Sequence, residues 1–347
     1  MSSDPHADLE RHYPTDSWEE DGMNAYGCVK QLYLLKKANR HLKVLLSIGG
    51  WEYSPTLSKA ASTNTTRAAF ASSAVNLITD WGFDGIDIDW EWHDPPPTQT
   101  DATNFVLLLQ AVRAALDKAS TRSCSNYRFL LTVAAPAGPT IYNALDLNGM
   151  AEYTDFFNLK AYDYTGSFSS FSGHQANLYA NPNNSDSTPF STDNAITDYL
   201  QRGVPARKIV LGMPAYGRSF RNTSGIGQVF MNTNNMTDVY KYNALPKYGA
   251  TENIDLACRA SYSFDFVSGE LVSYDTVPTV QMKTTYIQRK KLAGSMLWEA
   301  SGDRNGSHSL IAASYAALGK IDMTLNLLSY PLSRYSNIAA GMPEEQN

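Results

Sequence analysis

The chain has 347 residues, 43% of them hydrophobic and 18% charged, enough apolar material for one large domain or two small ones, and it excludes disordered and collagen-like classes. Its 28 basic and 34 acidic residues give a formal charge of -6 without long like-charge runs, which argues against nucleic acid or an anionic membrane as partner. No apolar run is long enough for a membrane span, and the N-terminus lacks a charged-then-apolar leader pattern, so the chain as written reads as soluble and cytoplasmic.

In chain order, short apolar runs alternate with helical stretches. Strands are expected at Lys43 to Ile48, Gly85 to Trp90, Phe129 to Ala134, Phe156 to Ala161, Lys208 to Met213 and Gly294 to Trp298. Helices are expected at Asn24 to Ala38, Arg67 to Trp81, Asp101 to Lys118, Asp193 to Arg202, Thr279 to Lys291 and Ser309 to Leu318. This α/β rhythm, with polar residues gathered at the C-terminal ends of the strand runs, predicts a (β/α)8 TIM-type barrel. Only six strands are found, and residues 1–42 offer no further candidate, so the barrel is expected to lack its first two strands. One interval breaks the rhythm. Residues 217–278 are Asn-, Gly- and Tyr-rich and carry a hairpin pattern from Ser263 to Tyr274 around Ser268-Gly269, which predicts a small α+β insertion domain. Residues 1–216 and 279–347 then form the barrel domain.

Three cysteines, Cys28, Cys124 and Cys258, are too few and too scattered for a disulfide framework or a zinc site. Five Asn-x-Ser/Thr sequons begin at Asn64, Asn183, Asn222, Asn235 and Asn305, close to the roughly four that chance provides in such a composition, and imply nothing about secretion. Aromatic residues make 12% of the chain. Most are expected in the core, although flat rings in a groove also suit sugars.

The segment Phe83-Asp84-Gly85-Ile86-Asp87-Ile88-Asp89-Trp90-Glu91-Trp92 carries the clearest chemistry. Strand side chains alternate with period two, so Asp87, Asp89 and Glu91 share one face, about 6.6 Å apart in succession, while Ile86, Ile88 and Trp90 take the other. Three inward carboxylates repel one another, and with partial burial at least one pKa should rise, leaving a protonated acid. Glu91, outermost, is best placed to reach a substrate. Asp84 is out of phase with the row and is expected to be structural. A salt-bridged strand end or a Mg²⁺ or Ca²⁺ site would use the same carboxylates. Tryptophans at positions 51, 90, 92 and 298 favour a sugar site over a metal.

These residues resemble the DGxDxDWE signature of family 18 glycoside hydrolases, the chitinases. The resemblance extends to Ser47-Ile48-Gly49-Gly50-Trp51, Ala161-Tyr162-Asp163-Tyr164, Met213-Pro214-Ala215-Tyr216-Gly217-Arg218 and Gly294-Ser295-Met296-Leu297-Trp298-Glu299, in family order over nearly the whole chain. The stretches Phe171 to Tyr179 and Asn326 to Pro331 resemble the fungal secreted endochitinases. The resemblance implies retaining, substrate-assisted endo-hydrolysis of β-1,4-linked N-acetylglucosamine in chitin, without metal or organic cofactor. It assigns Glu91 as the acid, Asp89 to the acetamido N–H, Asp87 as its proton-sharing neighbour and Tyr162 to the acetamido carbonyl. Substrate contacts fall to Gly49, Gly50, Trp51, Trp92, Lys160, Asp163, Tyr216, Arg218 and Trp298. Chitin or chito-oligosaccharides are the implied partner of a monomeric, extracellular protein.

Three departures from the family pattern stand out: the absent first two strands, Lys160 in place of a usual Met, and Trp92-His93 in place of Tyr-Pro. Lys160 is expected to face the acidic row, favour ionised carboxylate and move the activity optimum toward acid. The competing readings are a truncated paralogue or fragment that at most binds chitin, and an endo-β-N-acetylglucosaminidase acting on N-glycans.

Overall fold

The computed structural model describes residues 2–14, 16–18, 20–92, 95–122, 127–231 and 238–343. Cys124, His93 and the sequon at Asn235 lie outside the described residues. The chain divides into two compact units, the first comprising Met1–Val133, Glu152–Asp155 and Asp322–Asn347, the second Ala134–Ala151 and Phe156–Ile321.

In the first unit, helix α1 (Gly27–Ala38) leads to strand β1 (Leu45–Gly49), α2 (Asn64–Trp81), β2 (Gly85–Asp89), α3 (Gln99–Arg122) and the start of β3 (Leu130–Pro136). β1 pairs parallel with β2, Ser47 opposite Asp87 and Gly49 opposite Asp89, and β2 pairs parallel with β3, Asp87 opposite Thr132. The alternation expected of β2 is present: Ile86 and Ile88 are fully buried, Asp87 and Asp89 half-buried. α2 opens with a reciprocal Thr63–Thr66 capping box and closes at Gly82, whose φ of 71° suits a residue without Cβ. Its buried Ala71, Ala74, Val75 and Ile78 recur at three- and four-residue spacing, and α2 packs against α3. α1 begins at Gly27, three residues later than the pattern suggests. Asn337 holds residue 25 in a non-helical conformation by accepting from its amide and donating to its carbonyl, and Tyr26 N–H donates to Leu9 O.

The base of β2 is fixed by a buried ion pair. Lys36 Nζ lies 2.8 Å from Asp84 Oδ2, both side chains fully buried, and also donates to Gly82 O and Tyr330 Oη. Asp84 further accepts from Val44 N–H, Tyr127 Oη and Leu327 N–H, so its structural role is plain. The C-terminal segment is thereby drawn onto this end of the unit. Asn326 adds bonds to the Lys36 and Leu42 carbonyls and accepts from Arg40 Nε, and Tyr330 donates to Phe83 O.

In the second unit, β4 (Phe156–Lys160), α4 (Thr192–Gln201) and β5 (Ile209–Pro214) precede a run of short strands. These are β6 (Tyr216–Phe220), β7 (Val239–Lys241), β8 (Thr251–Asp255), β9 (Ala260–Asp265) and β10 (Glu270–Ser273), followed by α5 (Val277–Lys290), β11 (Gly294–Trp298) and α6 (Leu310–Leu318). β4 and β5 are parallel, as are β5 and β11 with Trp298 opposite Pro214. β6 to β10 make a five-stranded antiparallel sheet in the order β7-β6-β10-β9-β8. Its β9–β10 hairpin turns at Gly269 (φ 66°). α5 packs against α6 and β11.

Six parallel strands linked by helix-bearing connections, with an antiparallel insertion after the fifth, are the elements of an α/β TIM-type barrel without its first two strands. The described part of residues 1–42 contains no strand.

Candidate active site

In the first unit the acidic row stands at the C-terminal end of β2. Both oxygens of Asp87 are engaged: Ser47 Oγ donates to Oδ2 at 2.8 Å and Thr132 Oγ1 to Oδ1 at 2.6 Å. Ser47 and Thr132 sit opposite Asp87 in the ladders on either side. The resemblance-based assignment named neither residue as part of the site. Their signal is the register, which alternation within one strand does not reveal. The strand stops at Asp89, one residue short of expectation, because its partner turns away at Gly49 and Gly50 (φ 121° and 79°). A Cβ on Gly49 would stand 2.1 Å from the Asp89 carbonyl oxygen, so the close approach requires glycine. Glu91 therefore lies just beyond the ladder, half-buried, its amide donating to Ser54 Oγ at 2.7 Å.

Trp51, on the short helix Gly50–Tyr53, is 63% exposed and presents a broad ring to solvent. Trp92 is placed differently. One face stacks on buried Trp90 with centroids 4.9 Å apart, and the ring is tilted against Phe105 at 5.8 Å, so one face is already used within the unit. Two cavities of this unit, of about 1310 and 700 Å³, are lined by the N-terminal segment with α1 and residues 336–343, and by α2, α3 and residues 327–334, and include none of these side chains.

In the second unit, Lys160 is the half-buried last residue of β4, and Tyr162 follows it, nearly buried and edge-on to Tyr216 at 6.2 Å. Asp163 adopts a left-handed φ of 61° and accepts from both Tyr216 Oη and Arg218 Nε at 2.6 Å. Burial, aided by the Asp163 carboxylate, pushes the Tyr216 phenol well above its ordinary pKa, so it stays a hydrogen-bond donor. Arg218 also approaches Asp238 at 3.6 Å and lies over the Phe168 ring. Trp298, the last residue of β11, is 56% exposed. Tyr162, Asp163, Tyr216 and Arg218 thus form one hydrogen-bonded and packed group.

Within the segment from Phe171 to Tyr179, residues 172–178 are buried and form a polar strap. Gln175 donates to the Tyr216 and Ser273 carbonyls and Asn177 to those of Tyr179 and Phe190. It also delivers His174 to Asp255 and Cys258, the three offering ligand-type atoms within 4.8 Å of one another. That cluster is internally bonded. His174 Nε2 lies 3.4 Å from Asp255, which also accepts from the Ala257 and Cys258 amides. Burial, with Asp255 adding, pushes the Cys258 thiol up to about 12, so it is a protonated donor at neutral pH.

The chain matches the profile of glycosyl hydrolases family 18 over residues 8–303 and belongs to that family. It is 52% identical to Endochitinase 1 of Metarhizium robertsii over 98% of this chain and 80% of the relative. It is 51% identical to Chitinase 1 of Aphanocladium album over 99% and 81%. Among solved structures, Chitinase ChiA74 from Bacillus thuringiensis superposes with a TM-score of 0.82 at 32% identity, covering 91% of this chain and 57% of that longer one. The protein is a glycoside hydrolase built on the family's TIM-type barrel. Among the described residues no helix is long and apolar enough to cross a membrane.

Proposed function

We propose that this chain cleaves internal β-1,4 linkages of chitin with retention of configuration, the substrate's own acetamido oxygen acting as nucleophile. The observation that carries this reading is the acidic row of β2. Asp87 and Asp89 face one way over a buried Ile86–Ile88 face, Asp87 is held by two hydroxyls, and Glu91 stands at the open end. Such a mechanism needs one protein acid, in contrast to the two-carboxylate scheme of other glycosidases.

In this proposal Glu91 protonates the glycosidic oxygen and then activates water, Asp89 holds the acetamido N–H over the oxazolinium-like intermediate, and Asp87 shares its proton. Tyr162 bonds the acetamido carbonyl, Asp163 and Arg218 contact the distorted sugar, and Trp298 forms its floor. The pairing of Asp163 with Tyr216 and Arg218 supports these roles, since it presents a fixed group of donors and acceptors. The exposure of Trp51 and Trp298 supports sugar stacking. Trp92 contributes through its uncovered face, and Gly49 and Gly50 keep the approach to Asp89 open. The names of the fungal relatives support action on chitin, and we place that action outside the cell. We assign no metal or organic cofactor to the reaction and take the monomer as the active form.

The test uses chitin hexasaccharide, its fully deacetylated counterpart and a high-mannose glycopeptide, followed by proton NMR. The expected result is β-anomeric product first, cleavage of the acetylated chain alone, and an intact glycopeptide. α-Anomeric product, equal cleavage of the deacetylated chain, or glycopeptide cleavage without chitin cleavage would overturn the reading.

A further inference from the structure

We propose that Ser54 is a positioning residue for the Glu91 acid, acting by completing the β2 ladder where the strand partner has left it. The inference rests on the assignment of Glu91 as the proton donor.

The need for such a group follows from the backbone. β1 and β2 pair through Gly49 opposite Asp89, and there the positive φ angles of Gly49 and Gly50 turn β1 into the helix Gly50–Tyr53. A parallel ladder continued by one step would satisfy the Asp89 carbonyl and the Glu91 amide; instead both are met by one side chain. Ser54 Oγ donates to Asp89 O at 3.0 Å and accepts from Glu91 N–H at 2.7 Å. Only a group that is donor and acceptor at one atom does both, and a hydroxyl is the compact one. Ser54 is completely buried, at the start of the 3₁₀ turn Ser54–Thr56, so it reaches no substrate and acts through the main chain.

The opposite side of the same dipeptide is fixed as well. Trp90 is buried, with Trp92 stacked at 4.9 Å and Phe105 at 5.1 Å. Between the hydroxyl clamp and the packed indole, the backbone that carries Glu91 is held although it lies outside the strand. An acid on a freely moving strand end would spend most of its time away from the glycosidic oxygen, and small misplacements of catalytic groups are costly. In the sequence the clamp is seven residues after Ser47 and five after Gly49, with nothing in its local pattern to mark it.

The experiment separates loss of acid positioning from general damage by the leaving group. Departure of a sugar needs a well-placed acid, whereas 2,4-dinitrophenolate leaves with little help. Ser54→Ala should lower kcat/KM on chitin oligosaccharide about 30-fold while changing kcat/KM on 2,4-dinitrophenyl chitobioside less than about threefold, because kcat/KM reads the steps up to leaving-group departure and not the later activation of water by Glu91. Ser54→Thr, which keeps the hydroxyl, should recover most of the loss. Should Ser54→Ala not fold, Ser54→Cys, a weaker donor and acceptor, is read in the same way. Unchanged kcat/KM on the oligosaccharide, or equal losses of kcat/KM on both substrates, would overturn the positioning role while leaving the Glu91 reading intact. A folded parent chain inactive on both substrates would overturn both.

Discussion

Asp255 shows how one carboxylate can couple distant segments. The hydrogen bond from His174 is the largest influence on it, opposed by burial and reinforced by Cys258, and together they hold it well below the usual carboxylate range. A depressed carboxylate contributes stability that is present above its unfolded pKa and lost as pH falls toward its folded one. Asp255→Asn should therefore cost about 1–2 kcal/mol at pH 7, and the gap to the parent should narrow below about pH 4. Urea unfolding of both chains across that range checks this; a gap that stays constant or widens in acid contradicts it. At this scale the shared face of Asp87 and Asp89 was legible because period-two alternation is local. The hydroxyls of Ser47 and Thr132 were not, because they meet Asp87 only once two neighbouring strands are in register. The His174–Asp255–Cys258 group was likewise invisible, its members being 81 residues apart at the His174–Asp255 contact.

Elements of the first unit are locked by polar bonds as much as by apolar packing. Lys36 on α1 meets Asp84 at the foot of β2, and around them converge Tyr330, Leu327 and Tyr127. Removing one member of a buried pair strands the other charge, so Lys36→Met should destabilise by about 3–5 kcal/mol. It should also raise amide exchange in residues 326–334, which hydrogen–deuterium exchange would detect. A loss below about 1 kcal/mol, or exchange unchanged in that segment, would mean that the pair does not hold the C-terminal strap. The six strands and six helices were readable from apolar runs and three- and four-residue spacing, and the hairpin from Ser268-Gly269. The element ends differed where long-range bonds decide them: Asn337 delays α1, and the turn at Gly49 ends β2 early. Trp92, expected among the substrate contacts, has one face on Trp90, a contact that depends on the chain bending after Asp89.

At the scale of the whole molecule, ordered motifs made the family legible because each sits where its strand ends and chemistry constrains its residue types. The insertion was legible as an interruption, yet its five-strand order required pairings between β6 and β10 that span the interval. In the proposed mechanism a single acid, Glu91, makes the proton transfers that the substrate's acetamido group cannot. The most direct measurement compares product release from chitin hexasaccharide by the parent chain and by Glu91→Gln, with circular dichroism showing that both fold. An active parent and a variant slower by at least about a hundredfold are expected. A folded Glu91→Gln chain that cleaves chitin at the parent rate would contradict that mechanism.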